Sequence, residues 1–392
     1  MERLPVETPA FVYDEARIDA DCARIARMAR DAGCRLLFSL KALSVVGVLE
    51  AVGRHVDGFS TSSSFETLLV RKIFGPSAVV HTTSPGIRAQ DLSGIAGSSQ
   101  YVSFNSVSQL ERFAPGVADD VQLGIRVNPG LSLLSDARYD PCRKHSKLGA
   151  SPQEVSALFQ RSPRLAARLS GLLVHNNCDA DEFCGLLRTV THLDGMLQRV
   201  LPSLAWINLG GGYTFRCSSR PAELADAIAH LKSRYDLEVF MEPGAALVRS
   251  GVQLVASVVD LFEREGKSIA VLDTSINHMP EVFEYADLPD AEPWVSGHVD
   301  GGRFSYLLAG CTCLAGDVFG DYAFDDPLAV GDRIVFAEMG AYAFAKAHWF
   351  NGINLPSVYA KSVDGRIRLK HQFTFADFAR HNALDQAVGS RG

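Results

Sequence analysis

A lysine, two glycine-rich turns and a carboxylate each close an apolar run in this chain, a set suited to holding a reactive carbonyl compound. Lys41 follows Leu36-Leu37-Phe38-Ser39-Leu40, Gly210-Gly211-Gly212 follows Trp206-Ile207-Asn208-Leu209, and Glu242-Pro243-Gly244 follows Glu238-Val239-Phe240-Met241. A lysine at the end of an apolar strand is ordinarily a solvated surface charge. Partly desolvated at the mouth of a fold, the same amine has its pKa lowered enough to form a Schiff base with an aldehyde. A run of glycines can simply make a tight turn, and it also lets backbone N–H groups approach an anion where no Cβ intrudes. His175 ends Leu172-Leu173-Val174, and Arg126 ends Val121-Gln122-Leu123-Gly124-Ile125. Taken singly, the first is a core histidine and the second a charge within a layer of a barrel, paired with a carboxylate.

The elements that must position these groups follow from the same runs. With Gly58–Thr61, Ala78–His81 and Tyr101–Phe104 there are eight short β-type segments separated by helix-length stretches. Eight strands so joined predict an α/β fold, a (β/α)8 TIM barrel, whose active site lies at the carboxyl ends of the strands. In such barrels the loops after strands seven and eight commonly bind phosphate, and the two glycine-rich turns fall there. An aldehyde-accepting lysine, a phosphate cradle and a carboxylate to keep a pyridine nitrogen protonated are the requirements of pyridoxal 5'-phosphate, the expected cofactor.

The chain has 392 residues with 47% hydrophobic content, more than the roughly 250 residues of a barrel require. Asp14 is placed to cap a helix whose Ile18, Cys22, Ile25 and Met28/Ala29 share one face, with Gly33 at its end. Beyond Gly244 the pattern changes to strand-like runs at 253–259, 268–272, 333–336 and 366–369. We therefore expect a barrel over residues 15–247 and a C-terminal β-sandwich or β-barrel-like domain over 248–392, with residues 1–14 adding an edge strand. The net charge of −7 offers no broad positive field for nucleic acid or an anionic membrane. The N-terminus lacks an apolar signal core and no stretch is long enough to span a bilayer, so a soluble cytoplasmic protein is expected. Eight scattered cysteines read as thiols. Cys311 and Cys313 are too close for a zinc pair, and His175 with Cys178 lacks a second pair, so no metal is expected. Glu265-Gly266-Lys267-Ser268 lacks the earlier glycine of a nucleotide loop, which is Leu261 here.

Taken in order, Pro9-Ala10-Phe11-Val12-Tyr13, Lys41, Ser62-Ser63 with Glu66, His175, the triple glycine, Glu242-Pro243-Gly244, Cys313 and Ala341-Tyr342 resemble the fold type III, or alanine-racemase-fold, decarboxylases. Within that group Tyr139-Asp140-Pro141-Cys142, Ser146-Lys147-Leu148-Gly149, His278-Met279-Pro280, Thr312–Asp317 and Phe350-Asn351-Gly352 are most similar to the carboxynorspermidine/carboxyspermidine branch. The resemblance implies that Lys41 carries the cofactor, His175 stacks on its ring, and Arg126 belongs to the network around both. It also implies that Gly210, Gly211, Gly212 and Gly244 form the phosphate loops, that Glu242 meets the ring nitrogen, and that Tyr342 reaches the phosphate. Cys313 would protonate Cα, entering with Tyr342 across a homodimer.

Two departures separate the chain from ornithine- and diaminopimelate-type enzymes: Leu314 stands where an acidic residue binds a distal amine, and Ala245 replaces the arginine after Glu-Pro-Gly. The expected reaction is decarboxylation of an amino acid with a long amine-bearing side chain, in polyamine biosynthesis. Asp179, Glu281, Glu284 and Asp317 are candidate partners for the distal ammonium groups. Arg143, Lys144 and Lys147 either recognise a carboxylate or form a solvated loop. The alternatives are a diaminopimelate-, ornithine- or siderophore-pathway decarboxylase, a racemase, and a cofactor-binding regulator without catalysis.

Overall fold

The computed structural model describes residues 6–216, 220–281, 291–293 and 302–384, with 291–293 as backbone only. Glu284 and the polar tail at 389–392 lie outside the described residues. The chain divides into two compact units, 19–247, and 1–18 together with 248–392. No described helix is long and apolar enough to cross a membrane.

After strand β1 (Ala10–Asp14), eight strands close a parallel barrel: β2 (Arg35–Ser39), β3 (Gly58–Thr61), β4 (Val80–Ser84), β5 (Tyr101–Phe104), β6 (Gln122–Val127), β7 (Leu169–Val174), β8 (Trp206–Asn208) and β9 (Glu238–Met241). The ring shuts where Arg35 and Leu36 pair with Phe240 and Met241. Two of the strand ends that differ from the apolar runs bear on the site. The pairing of β4 extends to Ser84, because buried hydroxyls satisfy one another there: Thr82 Oγ1 lies 2.6 Å from Thr61 Oγ1 and 2.7 Å from Ser99 Oγ. Strand β7 ends at Val174, so His175 sits just beyond it. The helix Glu15–Ala32 precedes β2, and Asp14 accepts from Arg17 N–H at 3.1 Å as its cap.

Strand side chains alternate between faces, and this period of two builds the barrel interior in layers. The lower layer is apolar: Leu37, Trp206 and Phe240 form one buried cluster, with Val79 and Tyr101 packed against it. The indole fits because β6 and β7 contribute glycine there. A Cβ on Gly171 would lie 2.0 Å from Trp206, and one on Gly124 2.4 Å from it. Trp206 Nε1–H donates to Ser170 Oγ at 3.1 Å, so its one polar atom is satisfied.

The second unit is a mostly antiparallel sheet built from β1, β10 (Val252–Arg264), β11 (Lys267–Leu272), β12 (Ala291–Pro293), β13 (Phe304–Ala309), β14 (Val318–Phe324), β15 (Arg333–Phe336), β16 (Ser357–Lys361) and β17 (Ile367–His371). The expected edge strand is an interior one. β1 pairs antiparallel with β10 and parallel with β16, so both of its edges are hydrogen-bonded. Its residues suit that place, since Ala10, Phe11, Val12 and Tyr13 are all buried. Val6, Ala10, Val12, Val255, Val335 and Tyr359 form a core cluster around it. β13 and β14 escaped the sequence reading because their apolar and polar residues follow no clean alternation. Both still form a ladder from Phe304–Phe324 to Ala309–Val318, with a shift at its end.

Candidate active site

Two residues above each apolar position the interior turns polar. The inward step runs from Leu37 to Ser39 and Lys41, from Val79 to His81, from Tyr101 to Ser103, from Gly124 to Arg126, from Trp206 to Asn208, and from Phe240 to Glu242. One face of these strands therefore supplies core below and chemistry above.

Glu242 stands at the centre of a hydrogen-bond chain. Asn208 Nδ2 donates to its Oε1 at 2.7 Å, and the Ser60 hydroxyl also bonds to the carboxylate. Asn208 Nδ2 lies 2.8 Å from His81 Nδ1, and His81 Nε2 lies 2.8 Å from Ser103 Oγ. Burial pushes the Glu242 carboxyl up, against the hydrogen bonds from Asn208 and Ser60 and the charges of Lys41 and Arg126. Full burial pushes His81 down to about 3, so its imidazole is neutral.

Lys41 lies in the short 3-10 turn Leu40–Ala42 that follows β2. Its side chain keeps solvent-exposed surface, yet the surrounding barrel wall displaces enough water to hold its ammonium below the ordinary lysine value. Glu242 opposes that shift and the buried Arg126 guanidinium reinforces it. Glu66 also faces this lysine electrostatically. Its Oε2 accepts from Ser62 N–H at 2.6 Å while Ser63 Oγ caps the helix Ser64–Phe74.

His175 Nδ1 accepts the Gly211 N–H at 3.0 Å. Desolvation first, then the Lys41 and Arg126 charges, hold the imidazole well below its ordinary pKa, so the ring is neutral with its proton on Nε2. The glycine turn tolerates no other residue: Gly210 and Gly212 have φ of 68° and 91°. A Cβ on Gly211 would lie 2.3 Å from Glu242 O, and one on Gly212 2.2 Å from Asn177 O. Two of the three N–H groups have internal partners, Gly210 on Asn208 Oδ1 and Gly211 on His175 Nδ1. Gly212 supplies the third. These groups fit pyridoxal phosphate: a desolvated lysine, a carboxylate on the opposite wall, a neutral imidazole and a turn without side chains.

The remaining candidates are described each within its own unit. In the barrel unit, Asp179 is exposed at φ of 47° after β7. In the sheet unit, Cys313 is exposed and its N–H donates to Asn351 Oδ1 at 2.8 Å. Tyr342 has φ of 66° at the start of the helix Ala343–Lys346, with Lys346 Nζ 5.6 Å from its ring centroid. Glu281 pairs with Lys346 at 3.0 Å. Asp317 is buried and organises a turn: Oδ1 accepts Ile276 N–H at 2.9 Å, and Oδ2 accepts Thr312 N–H at 3.0 Å and its hydroxyl at 2.5 Å. Both of its oxygens are engaged by donors of its own unit. Ser60, His81, Ser103 and Asn208 were not among the sequence candidates. Their signal was the two-residue step upward from Gly58, Val79, Tyr101 and Trp206.

The pyridoxal binding domain of the pyridoxal-dependent decarboxylases matches residues 16–249, which hold every barrel residue of this site. The chain belongs to the pyridoxal-dependent decarboxylases. It is a carboxy-lyase with pyridoxal phosphate as its cofactor. A carboxynorspermidine/carboxyspermidine decarboxylase of Herminiimonas arsenicoxydans is 31% identical over 95% of this decarboxylase and 98% of its own length. A carboxyaminopropylagmatine decarboxylase of Synechocystis sp. is 31% identical over 95% and 94% of the two chains. Among solved structures, carboxynorspermidine decarboxylase of Campylobacter jejuni, complexed with norspermidine, superposes with a TM-score of 0.85 at 27% identity, over 96% of this chain and all of that one.

Proposed function

We propose that this decarboxylase removes CO2 from carboxynorspermidine or carboxyspermidine, leaving a linear polyamine. The observation that carries this reading is the match to relatives of that activity over nearly the full length of both chains. Leu314 and Ala245 support it, since neither offers the charge that a short diamino acid would need.

Bound pyridoxal phosphate supplies the electron sink for the pair that CO2 leaves behind. The chain's own residues do the rest. Lys41, part-desolvated, presents its amine as nucleophile, and Glu242 holds a proton on the ring nitrogen. His175 covers the ring face without adding charge, while Gly212 and Gly244 leave room for the phosphate. Cys313 delivers the proton to Cα and Tyr342 reaches the phosphate, both from the partner protomer of a homodimer. Asp179 and Glu281 are the described carboxylates for the distal ammonium groups, with Lys346 competing for the second.

The direct test is CO2 release from a substrate panel. Carboxynorspermidine and carboxyspermidine are expected to exceed diaminopimelate and ornithine in kcat/KM by about a hundredfold or more. A second reading, carboxyaminopropylagmatine, is favoured by the equal 31% identity of the Synechocystis relative. Preference for its guanidinium-bearing side chain would replace the first reading, and preference for diaminopimelate would remove both. The shared site has its own check. Lys41→Ala and Cys313→Ala are each inactive alone, and mixing them restores about a quarter of wild-type activity, because half of randomly paired dimers hold one intact site. No recovery on mixing would place Cys313 outside the partner's site.

A further inference from the structure

The orientation of the Asn208 amide is fixed by its neighbours. The backbone N–H of Gly210 can only donate, and it lies 2.9 Å from one end of the amide, which is therefore Oδ1. The other end is Nδ2, and its two hydrogens point at His81 Nδ1, 2.8 Å away, and Glu242 Oε1, 2.7 Å away. Both of those atoms must then be acceptors. His81 consequently carries its proton on Nε2, 2.8 Å from Ser103 Oγ. Glu242 Oε1 is left as a lone pair, and a proton cannot sit on it without displacing the amide. Asn208 and His81 are fully buried, so no water substitutes for either bond.

We propose that Asn208 is a positioning residue: braced by Gly210 and His81, its amide holds Glu242 as an ionised acceptor facing the ring nitrogen of bound cofactor. The proposal rests on Glu242 serving that nitrogen. A carboxylate with a hydrogen-bond donor on its own Oε1 is a weaker base, so a proton shared with the ring stays on the ring. Other charges facing Glu242 are those of Lys41 and Arg126, which act from the turn after β2 and from β6 in the same sense. The side-chain partners of Asn208 are His81, Glu242 and the Gly210 N–H, so its proposed effect runs through the carboxylate.

The decisive variant is Asn208→Asp. A carboxylate there still accepts the Gly210 N–H, so the turn is kept, while the donor facing Glu242 becomes an acceptor. The probe is holoenzyme reconstituted with pyridoxal phosphate labelled with 15N at the ring nitrogen. In the wild type the resonance is expected at the protonated position. In Asn208→Asp and Asn208→Leu it moves toward the unprotonated position, and cofactor affinity falls about tenfold, the size of one charge-assisted hydrogen bond. If neither accumulates as folded protein, His81→Leu removes the brace alone and shifts the resonance in the same direction by less. A merely structural Asn208 would lower thermal stability and leave the resonance in place. Wild-type resonances in folded Asn208→Asp or His81→Leu, alongside a displaced one in Glu242→Gln, overturn the proposal and keep the role of Glu242. An unmoved resonance in Glu242→Gln overturns that role as well.

Discussion

Lys41→Ala loses turnover by at least about a thousandfold, since the substitution removes the nucleophile. It also loses the visible absorbance of the linked cofactor, which then separates from the protein on gel filtration. Lys41 lies in the turn after β2, on the face that leads from Leu37 through Ser39. Barrel walls lower its pKa below the usual 10.5, which enlarges the neutral, nucleophilic fraction at any pH below that value. Loading of the apoprotein with cofactor therefore speeds up as pH rises, with a midpoint below that of a solvated lysine. Lys41→Arg is expected to be as inactive as the alanine variant, because a guanidinium stays protonated and cannot attack an aldehyde. That comparison separates nucleophilicity from charge. An unchanged visible spectrum in Lys41→Ala would sink the assignment.

The barrel was legible because each of its strands carries a short apolar run, and the groups that close those runs are unusual in type. Lys41, the triple glycine and Glu242 end strands that bury both faces, so a charge or a bare backbone there stands out. The supporting layer was not legible in the same way. His81, Ser60, Ser103 and Asn208 lie inside strands, where a polar residue reads as an interruption of the apolar pattern. Only closure of the barrel turns their shared inward phase into a network. β4 was shortened for a related reason, since Thr82 looks like a solvent-facing residue until Thr61 and Ser99 meet it in the packed interior. In the sheet unit the limit was long-range pairing. β1 is an edge or an interior strand according to whether Ser357–Lys361, over three hundred residues later, lies along it. Nothing local to Ala10–Asp14 carries that information. Asp317 shows the converse: an acidic residue near a candidate cysteine reads as a ligand, yet Ile276 N–H takes its Oδ1 and Thr312 its Oδ2.

Glu242→Gln separates catalysis from stability, because the substitution keeps shape and removes charge. Its amide oxygen can still accept from Asn208 Nδ2, which leaves the amide NH2 facing the ring nitrogen. A donor there cannot share space with a protonated ring nitrogen, so the ring loses its proton and the electron sink weakens. We expect kcat to fall by about a hundredfold or more, in line with removal of one preorganised electrostatic partner, with little change in substrate KM. Stability moves the other way. Burial raises the Glu242 pKa in the fold above its ordinary 4.5, so in the window above 4.5 the native state binds more protons than the unfolded chain. Stability contributed by this group is present below that window and declines as pH rises through it. In apoprotein the Glu242→Gln variant is therefore expected to unfold at an equal or higher temperature than wild type at neutral pH, and to lose that part of the pH dependence. The acidic limb of the wild-type rate profile, where Glu242 gains its proton, should disappear with it. A variant with wild-type kcat and an unaltered acidic limb would mean that another group keeps the ring nitrogen protonated, and the carboxylate on β9's inward face would then be a structural charge held by Asn208 and Ser60.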